Sequence, residues 1–538
     1  MNSWLDHLAI APIVIPLLTG AAMVVVGERR RMIEAGLGVA STLLLLAVSI
    51  ALLRMADSTD QAMLRVYRLG DWPVTFGIVL VVDRLAALMV LLTSILGFSA
   101  LIFSLARWYR KGAHFQPLFQ FQLMGLNGAF LTGDLFNLFV FFEVLLAASY
   151  GLALHGPVVA RVKAGLHYIA VNLTASLLFL VGVSMIYGIA GTLNMADLAA
   201  RIPAIPAEDR ALLEAGAAIL GVAFLIKAAM WPLGFWLPNT YSAASAPVAA
   251  ILSILSKVGV YAVLRLWLLL FGDTAGDSAG FGGSWLLFGG LLTIAFGSVA
   301  VLATQHLTRL AGASVLVSSG TLLAAVGTGQ VAITGGALFY LASSVLAIAA
   351  FFLLIELVDR GRELGADVLA VTREAYGDET EDEDAQEEVG IAIPAGTAIL
   401  GTSFLACGLL LAGLPPLSGF LAKFAILAPL FGPGQDGLSL TGWAILIALL
   451  LSSLTTIIAV ARAGINAFWK PAAEAAPSVR MTELGPIGFL LILCVILTVQ
   501  AGPVMRYMEE TAQSLHAPRN YIEGVFTGSA DAGTGGRP

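Results

Sequence analysis

The chain has 538 residues, of which 59% are hydrophobic and 12% charged, with a mean hydropathy of +0.91. That balance excludes a water-soluble globule and points to a polytopic membrane protein. The net charge of −7 does not belong to the membrane body, because eight acids sit in one short segment, GDETEDEDAQEE, at 377–388.

A transmembrane helix takes ~20 mostly apolar residues. Fourteen such runs follow one another, near 8–26, 32–53, 76–104, 113–132, 134–155, 164–189, 211–232, 246–271, 283–303, 309–330, 333–358, 393–414, 440–464 and 485–502. A membrane-embedded half-helix at 418–432 goes with the twelfth. The N-terminal MNSWLDHL has neither a basic flank nor a small-residue cleavage site, so the first run is expected to stay in the protein.

Loop charges set the expected orientation. Alternate loops, counted from the first, hold Arg29, Arg30 and Arg31, then Arg107, Arg110 and Lys111, and carry fifteen basic residues in all, against eight on the other side. The positive-inside rule then places both termini outside the cytoplasm. Five basic residues remain, Arg84, Lys227, Lys257, Arg265 and Lys423, and these lie inside or at the ends of membrane runs together with Asp83 and Glu143.

Ionisable side chains at membrane depth cost at least ~2.5–3.5 kcal/mol on insertion scales, so each needs a reason. Asp83–Arg84, near the outer end of the third run, reads as a local pair. Glu143 falls near the midplane of the fifth run, on a face continued by Ala147, Tyr150 and Gly151, which suits a helix interface or water better than lipid. The alternative is a protonated acid hydrogen-bonded between helices. Lys163 and His167 are spaced i, i+4 at the start of the sixth run, where a relay and a solvated helix end are both open readings.

Lys227 stands before Pro232 and Pro238, which break the seventh run, and broken membrane helices line cavities or ion sites. Lys257 lies mid-depth in the eighth run with Ser253 and Tyr261 on its face. His306 precedes the tenth run, whose Ser314, Ser318 and Thr321 share a face. Lys423 follows LAGLPPLSGF, a second Pro/Gly interruption that echoes the first and points to a repeat-built transporter. The cysteines, Cys407 and Cys494, are read as buried small side chains. No nucleotide loop, HExxH or Cys/His cluster is present, so no cofactor, metal or nucleic acid is expected, and a solvated linker is the expected role of the acidic segment.

Four stretches, GDLFNLFVFFEVLLAASYGL, YGIAGTLNMADLA, KAAMWPLGFWLPNTYSAASAPVAAILSILSKVGVY and LAGLPPLSGFLAKF, resemble the D-type subunit of the Mrp/Pha/Mnh-type multisubunit monovalent cation/proton antiporters. These are relatives of the antiporter-like subunits of respiratory complex I, and the likeness extends through GADVLAVTREAYG. It implies an all-α polytopic fold of about fourteen transmembrane helices, with two inverted five-helix repeats and broken helices seven and twelve. The expected division is helices one to three at 1–110, a first repeat at 111–272, a second at 273–470 containing an acidic cytoplasmic loop at 359–391, and the last helix with its tail at 471–538.

Carried over by motif, Glu143, Lys227, Lys257 and Lys423 match the family's membrane glutamate and lysines. Relatives carry His and Lys in helix eleven, where this chain has Tyr340, Ser343 and Ser344, so hydroxyls and bound water would replace a histidine relay.

The resemblance implies a transporter subunit in a bacterial plasma membrane and not an enzyme. Its partners would be the other subunits of an antiporter complex, the lipid bilayer, protons, and Na⁺ or K⁺. Burial lowers a lysine's proton affinity and a nearby carboxylate raises it, so a Glu143–Lys227 pair could pass protons stepwise to Lys257 and Lys423 against cation efflux. Two alternatives are a proton-pumping subunit of a redox-driven complex and a non-conducting membrane scaffold.

Overall fold

The computed structural model describes residues 7–57, 64–73, 77–112, 114–156, 158–376, 395–431, 439–468 and 479–527. Nineteen α-helices and one β-hairpin make up its regular structure, apart from short 3₁₀ turns. In chain order they are α1 (Ala11–Val26), α2 (Arg31–Asp57), β1 (Arg65–Arg68), β2 (Val79–Val82), α3 (Arg84–Ser104), α4 (Phe115–Leu131) and α5 (Leu135–Ala153). Next come α6 (Val159–Ala190), α7 (Met195–Arg201), α8 (Ala207–Lys227), α9 (Leu237–Ala243), α10 (Ala246–Leu270), α11 (Gly283–Ala303) and α12 (Leu307–Gly327). The chain continues as α13 (Val331–Tyr376), α14 (Ala395–Ala412), α15 (Ser418–Leu427), α16 (Leu440–Phe468), α17 (Met481–Val499), α18 (Ala501–Leu515) and α19 (Pro518–Thr527). Among the described residues eleven candidate spans are long and apolar enough to cross a membrane, and α1, α4 and α8 complete the fourteen expected runs as shorter or more charged helices.

Local chemistry sets the element ends. Asp83 Oδ1 accepts from the Ala86 amide, and Asp134 Oδ1 accepts from the Asn137 amide, each satisfying a donor left open at a helix start. Gly27, at φ 70°, stops α1 in a conformation that other residues resist.

The architecture departs from expectation at three places. Residues 79–82, read as the opening of the third membrane helix, are instead a strand paired antiparallel with β1, Arg65 opposite Val82 and Arg68 opposite Val79. Three valines in four positions favour the pleated backbone, and the Asp83 cap defers the helix to Arg84. The eleventh membrane helix, α13, continues to Tyr376, so much of the expected loop at 359–391 is helical, while the acids at 377–388 fall outside the described residues. The tail beyond the last span folds into α18, packed on α13, and α19, packed on α7 and β1.

Helices α10 and α12 and the membrane-spanning part of α13 are buried nearly all round and form the axis of the molecule. On one side of that axis lie α4, α5, α6 and the broken pair α8/α9, and on the other α11, α14/α15 and α16. Corresponding helices pack alike: α4 lies on α5 as α11 lies on α12, and α6 on α8 as α13 on α14/α15. A five-span unit ends on the face opposite its start, so a second such unit is necessarily inverted.

Candidate functional site

The site begins with the two interrupted helices. Helix α8 ends at Lys227, Ala229 takes a left-handed φ of 58°, and the Ile226 carbonyl accepts from the Ala229 amide and from Trp236 Nε1, each at 3.1 Å. Gly259 on α10 permits the close approach there, since a Cβ at that position would lie 2.4 Å from the Ala228 nitrogen. In the second interruption α14 ends at Ala412, and the prolines at 415 and 416 supply no donor to continue it. Lys423 reaches back across this break, its Nζ donating to the Ala412 carbonyl at 3.0 Å and to Ser453 Oγ on α16 at 2.8 Å.

Three separate hydroxyl contacts lie in the region between the two breaks. Lys257, wholly buried on α10, donates to Ser319 Oγ on α12 at 3.1 Å. The neighbouring Ser318 is 3.0 Å from Ser344 on α13, and Ser343 is 2.8 Å from Ser418, five residues before Lys423 on α15. Ser314, Ser318, Tyr340, Ser343, Ser344 and Thr456 share a cavity of about 20 Å³, and a volume of ~10–15 Å³ already admits one water. Tyr340, Ser343 and Ser344, the helix-eleven hydroxyls of the sequence, thus lie on one small cavity. Ser319, Ser418 and Ser453 escaped the sequence reading. Their only signal was a serine doublet at 318–319, a serine at the second Pro/Gly break and another doublet at 452–453.

Glu143 and Lys227 are arranged differently from the expected pair. Half-buried Glu143 accepts a hydrogen bond from Ser176 of α6, whereas Lys227 Nζ lies 5.1 Å from the Phe142 ring centroid and has no hydrogen-bond partner among the described residues. No direct ion pair joins them. A small cavity of about 10 Å³ beside Lys227 is lined by Asn172 and Trp236 among others.

Lys163 and His167 lie exposed on the outer face of α6, the imidazole against Phe235 at 5.2 Å, and His306 is exposed at the start of α12. None of the three reaches the buried line.

Asp83 and Arg84 do not pair with each other. Asp83 takes both terminal nitrogens of Arg265 on α10, one at 2.7 Å, while Arg84 pairs with Glu510 of α18 at 2.7 Å and approaches Asp57 at 3.8 Å. Consecutive residues leave the chain in different directions, and Asp83, as the helix cap, points inward. The guanidinium of Arg265 also lies over the rings of Tyr261 and Tyr521, and Tyr261 donates to the Phe130 carbonyl at 2.7 Å, away from Lys257.

On the basic-loop side a vestibule of about 290 Å³ opens above the start of α10, lined by Arg107, Lys111, Arg161, Tyr241, Glu356 and Asp359 among others. Trp108 Nε1 donates to both oxygens of Glu356 at 2.7 and 2.9 Å, and Arg360 bridges Glu356 to buried Glu483. His155 sits beside it, its pKa pushed below the usual imidazole value by burial and by Arg161, against the opposing pull of the Trp108 carbonyl.

The molecule is thus a multi-span helical membrane protein with two interrupted helices and lysines buried beside each break. Residues 132–455 match the family model described as NADH:quinone oxidoreductase/Mrp antiporter, TM, and the chain belongs to that family. It is 57% identical to the D-type subunit of a probable K(+)/H(+) antiporter from Rhizobium meliloti, covering 98% of this chain and 99% of that one. Against the D-type subunit of the Na(+)/H(+) antiporter from Alkalihalophilus pseudofirmus the identity is 34%, over 97% and 100% of the two chains. A chain of the Mrp complex from Dietzia superposes with a TM-score of 0.81 at 24% identity, covering 97% and 99%, and one of respiratory complex I from Thermus thermophilus with 0.72 at 21%, covering 95% and 99%. These two likenesses are of fold.

Proposed function

We propose that the chain is the D-type subunit of a multisubunit monovalent cation/proton antiporter and carries protons along Lys227, Lys257 and Lys423, with Glu143 as the carboxylate at the start of the line. The observation that supports this reading best is the set of hydroxyl contacts Lys257–Ser319, Ser318–Ser344 and Ser343–Ser418 in the region between Lys257 and Lys423. Hydroxyls both donate and accept, so with water joining these separate contacts they form a relay between two amines. The vestibule over α10 supplies water on the basic-loop side, read as cytoplasmic. Lys227 lacks a fixed hydrogen-bond partner, and so can turn toward Glu143 or toward Lys257 as its charge changes.

Activity is assigned to the assembled complex, since the relatives' names describe subunits. The test is Glu143→Gln in that complex, with cation-dependent proton flux measured in everted vesicles and assembly checked by blotting. Flux should fall by about 10²-fold, the scale of a lost proton-transfer group. Unchanged flux with all subunits present would sink the role of Glu143.

A further inference from the structure

The vestibule over the start of α10 carries more positive than negative charge. Four cations, Arg107, Lys111, Arg161 and Arg360, line it against two carboxylates, Glu356 and Asp359, an excess of two. Both carboxylates are engaged, Glu356 by Trp108 and Arg360, and Asp359 by an interaction of its own. Arg161, only 8% exposed, has neutral acceptors instead: its Nε donates to the Ala243 carbonyl at 2.8 Å and its Nη1 to the His155 carbonyl. Those two bonds pin a buried cation beside the turn that leads into α10, with no ion pair to it among the described residues.

The same cavity meets the N-terminus of α10, a helix of 25 residues, and Ala246 and Ala249 of its first turn are on the wall. The first helical bond runs from the Ala249 amide to the Ser245 carbonyl at 2.8 Å. Ser245 holds the capping position, yet its Oγ caps no amide, so the open N–H groups of the first turn are not met by the cap. That side chain is 2% exposed, lines the vestibule and has no hydrogen-bond partner among the described residues. Arg360 Nε, on the same wall, has none either. Hydroxyl, guanidinium, ammonium and amide groups all donate, so the wall lacks an acceptor, and its charge excess calls for a negative one. At about 290 Å³, against ~30 Å³ for one water, the space admits a tetrahedral oxyanion.

We infer that the vestibule is a binding site for a phosphate group, held by Ser245, the first turn of α10, Arg161 and Lys111. Several oxygens on one centre suit donors that converge from α6, α10, α13 and the segment before α4, and a phosphate's charge matches the excess on the wall. Inorganic phosphate and a phospholipid headgroup share this chemistry. Val158, Val159 and Val162, exposed around Arg161 at the start of α6, would give a lipid's chains an apolar surface. The site does not depend on the proton reading, because binding is measured without transport.

The test uses the assembled complex, washed free of lipid in detergent and dialysed to equilibrium against radiolabelled inorganic phosphate or a radiolabelled short-chain anionic phospholipid, in chloride buffer of equal ionic strength. At least one probe should bind saturably, and Ser245→Ala and Lys111→Gln should each weaken that binding about ten-fold, the scale of one charge-assisted hydrogen bond. Loss with inorganic phosphate assigns the site to the free ion, and loss with the phospholipid alone assigns it to a headgroup. Binding of neither probe, or binding that is equal in the parent and the variants, would mean a vestibule filled with water and would overturn the site. Lys111 is exposed, with Nζ 4.2 Å from the Trp108 ring centroid, so Lys111→Gln decides alone if Ser245→Ala does not assemble.

Discussion

Asp83 and Arg265 illustrate how a buried charge is made tolerable. The carboxylate caps α3 and at the same time receives two guanidinium nitrogens from α10, so both charges are paired and hydrogen-bonded where neither could be left alone. Removing one partner of such a pair costs ~3–5 kcal/mol, mostly because the other stays buried and uncompensated. Arg265→Met should therefore lower the unfolding midpoint of the detergent-solubilised complex by that scale, and adding Asp83→Asn should recover most of the loss. Failure of the second substitution to rescue would show that the guanidinium acts through Tyr261 and Tyr521 instead.

His516 shows the same logic with the opposite sign. Its Nε2 lies 3.1 Å from Thr334 Oγ1 on α13, and burial holds its pKa below the usual 6.5, with Asp273 opposing. The unfolded chain binds this proton more readily than the folded one, so stability from His516 is complete above about pH 6.5 and is lost as pH falls toward the folded-state value. Hydrogen-exchange protection of α18, corrected for the intrinsic pH dependence of amide exchange, should fall as pH drops below about 6.5, and His516→Gln should flatten that dependence. An identical slope in the variant would assign the effect to another group.

At the scale of elements, the two breaks depend on glycines that let backbones meet. A Cβ on Gly419 would fall 2.0 Å from the Leu410 carbonyl oxygen, and both are backbone-fixed, so Gly419→Ala must push α15 off the end of α14. Overpacking of this kind costs ~1–3 kcal/mol. The displacement also moves Lys423 away from Ala412, so the variant should assemble in reduced yield and lose flux further than its yield accounts for. Normal specific flux would separate the break from the relay.

Every membrane helix was legible in the sequence, because ~20-residue apolar runs carry that signal unaided, and so were the breaks, because proline removes donors. The hairpin was not, since Val79–Val82 is as apolar as a helix start and only its pairing with β1 distinguishes the two. The candidate site divides along the same line. Its lysines and Glu143 stand out as costly residues in apolar runs, whereas Ser176, Ser319, Ser418 and Ser453 are ordinary in composition and acquire meaning only when helices far apart in sequence place them within hydrogen-bond distance. Asp83 and Arg84 take separate partners, and Glu143 and Lys227 make no direct contact, because proximity along the chain, or a matching charge, does not fix where side chains point.

At the scale of the whole molecule, the two units meet where α9 and α10 pack on α12 and α13, and Lys257 donates to Ser319 across that meeting surface. This topology decides whether the lysines act in series or in parallel. If Lys257 and Lys423 served separate routes, replacing either would leave roughly half of the flux, and replacing both would remove the rest. The relay proposed above makes them successive stations instead, and under it each replacement alone stops the current. Lys257→Ala and Lys423→Ala should then each reduce cation-dependent proton flux in everted vesicles by about 10²-fold, and the double variant should fall no further, the non-additivity expected of groups that act as one unit. Ser343→Ala with Ser344→Ala, which leaves both lysines intact and interrupts only the span between them, should reproduce the same loss. Half-flux in either single variant, with all subunits present, would mean that the two units conduct independently and that the serine line is a packing seam.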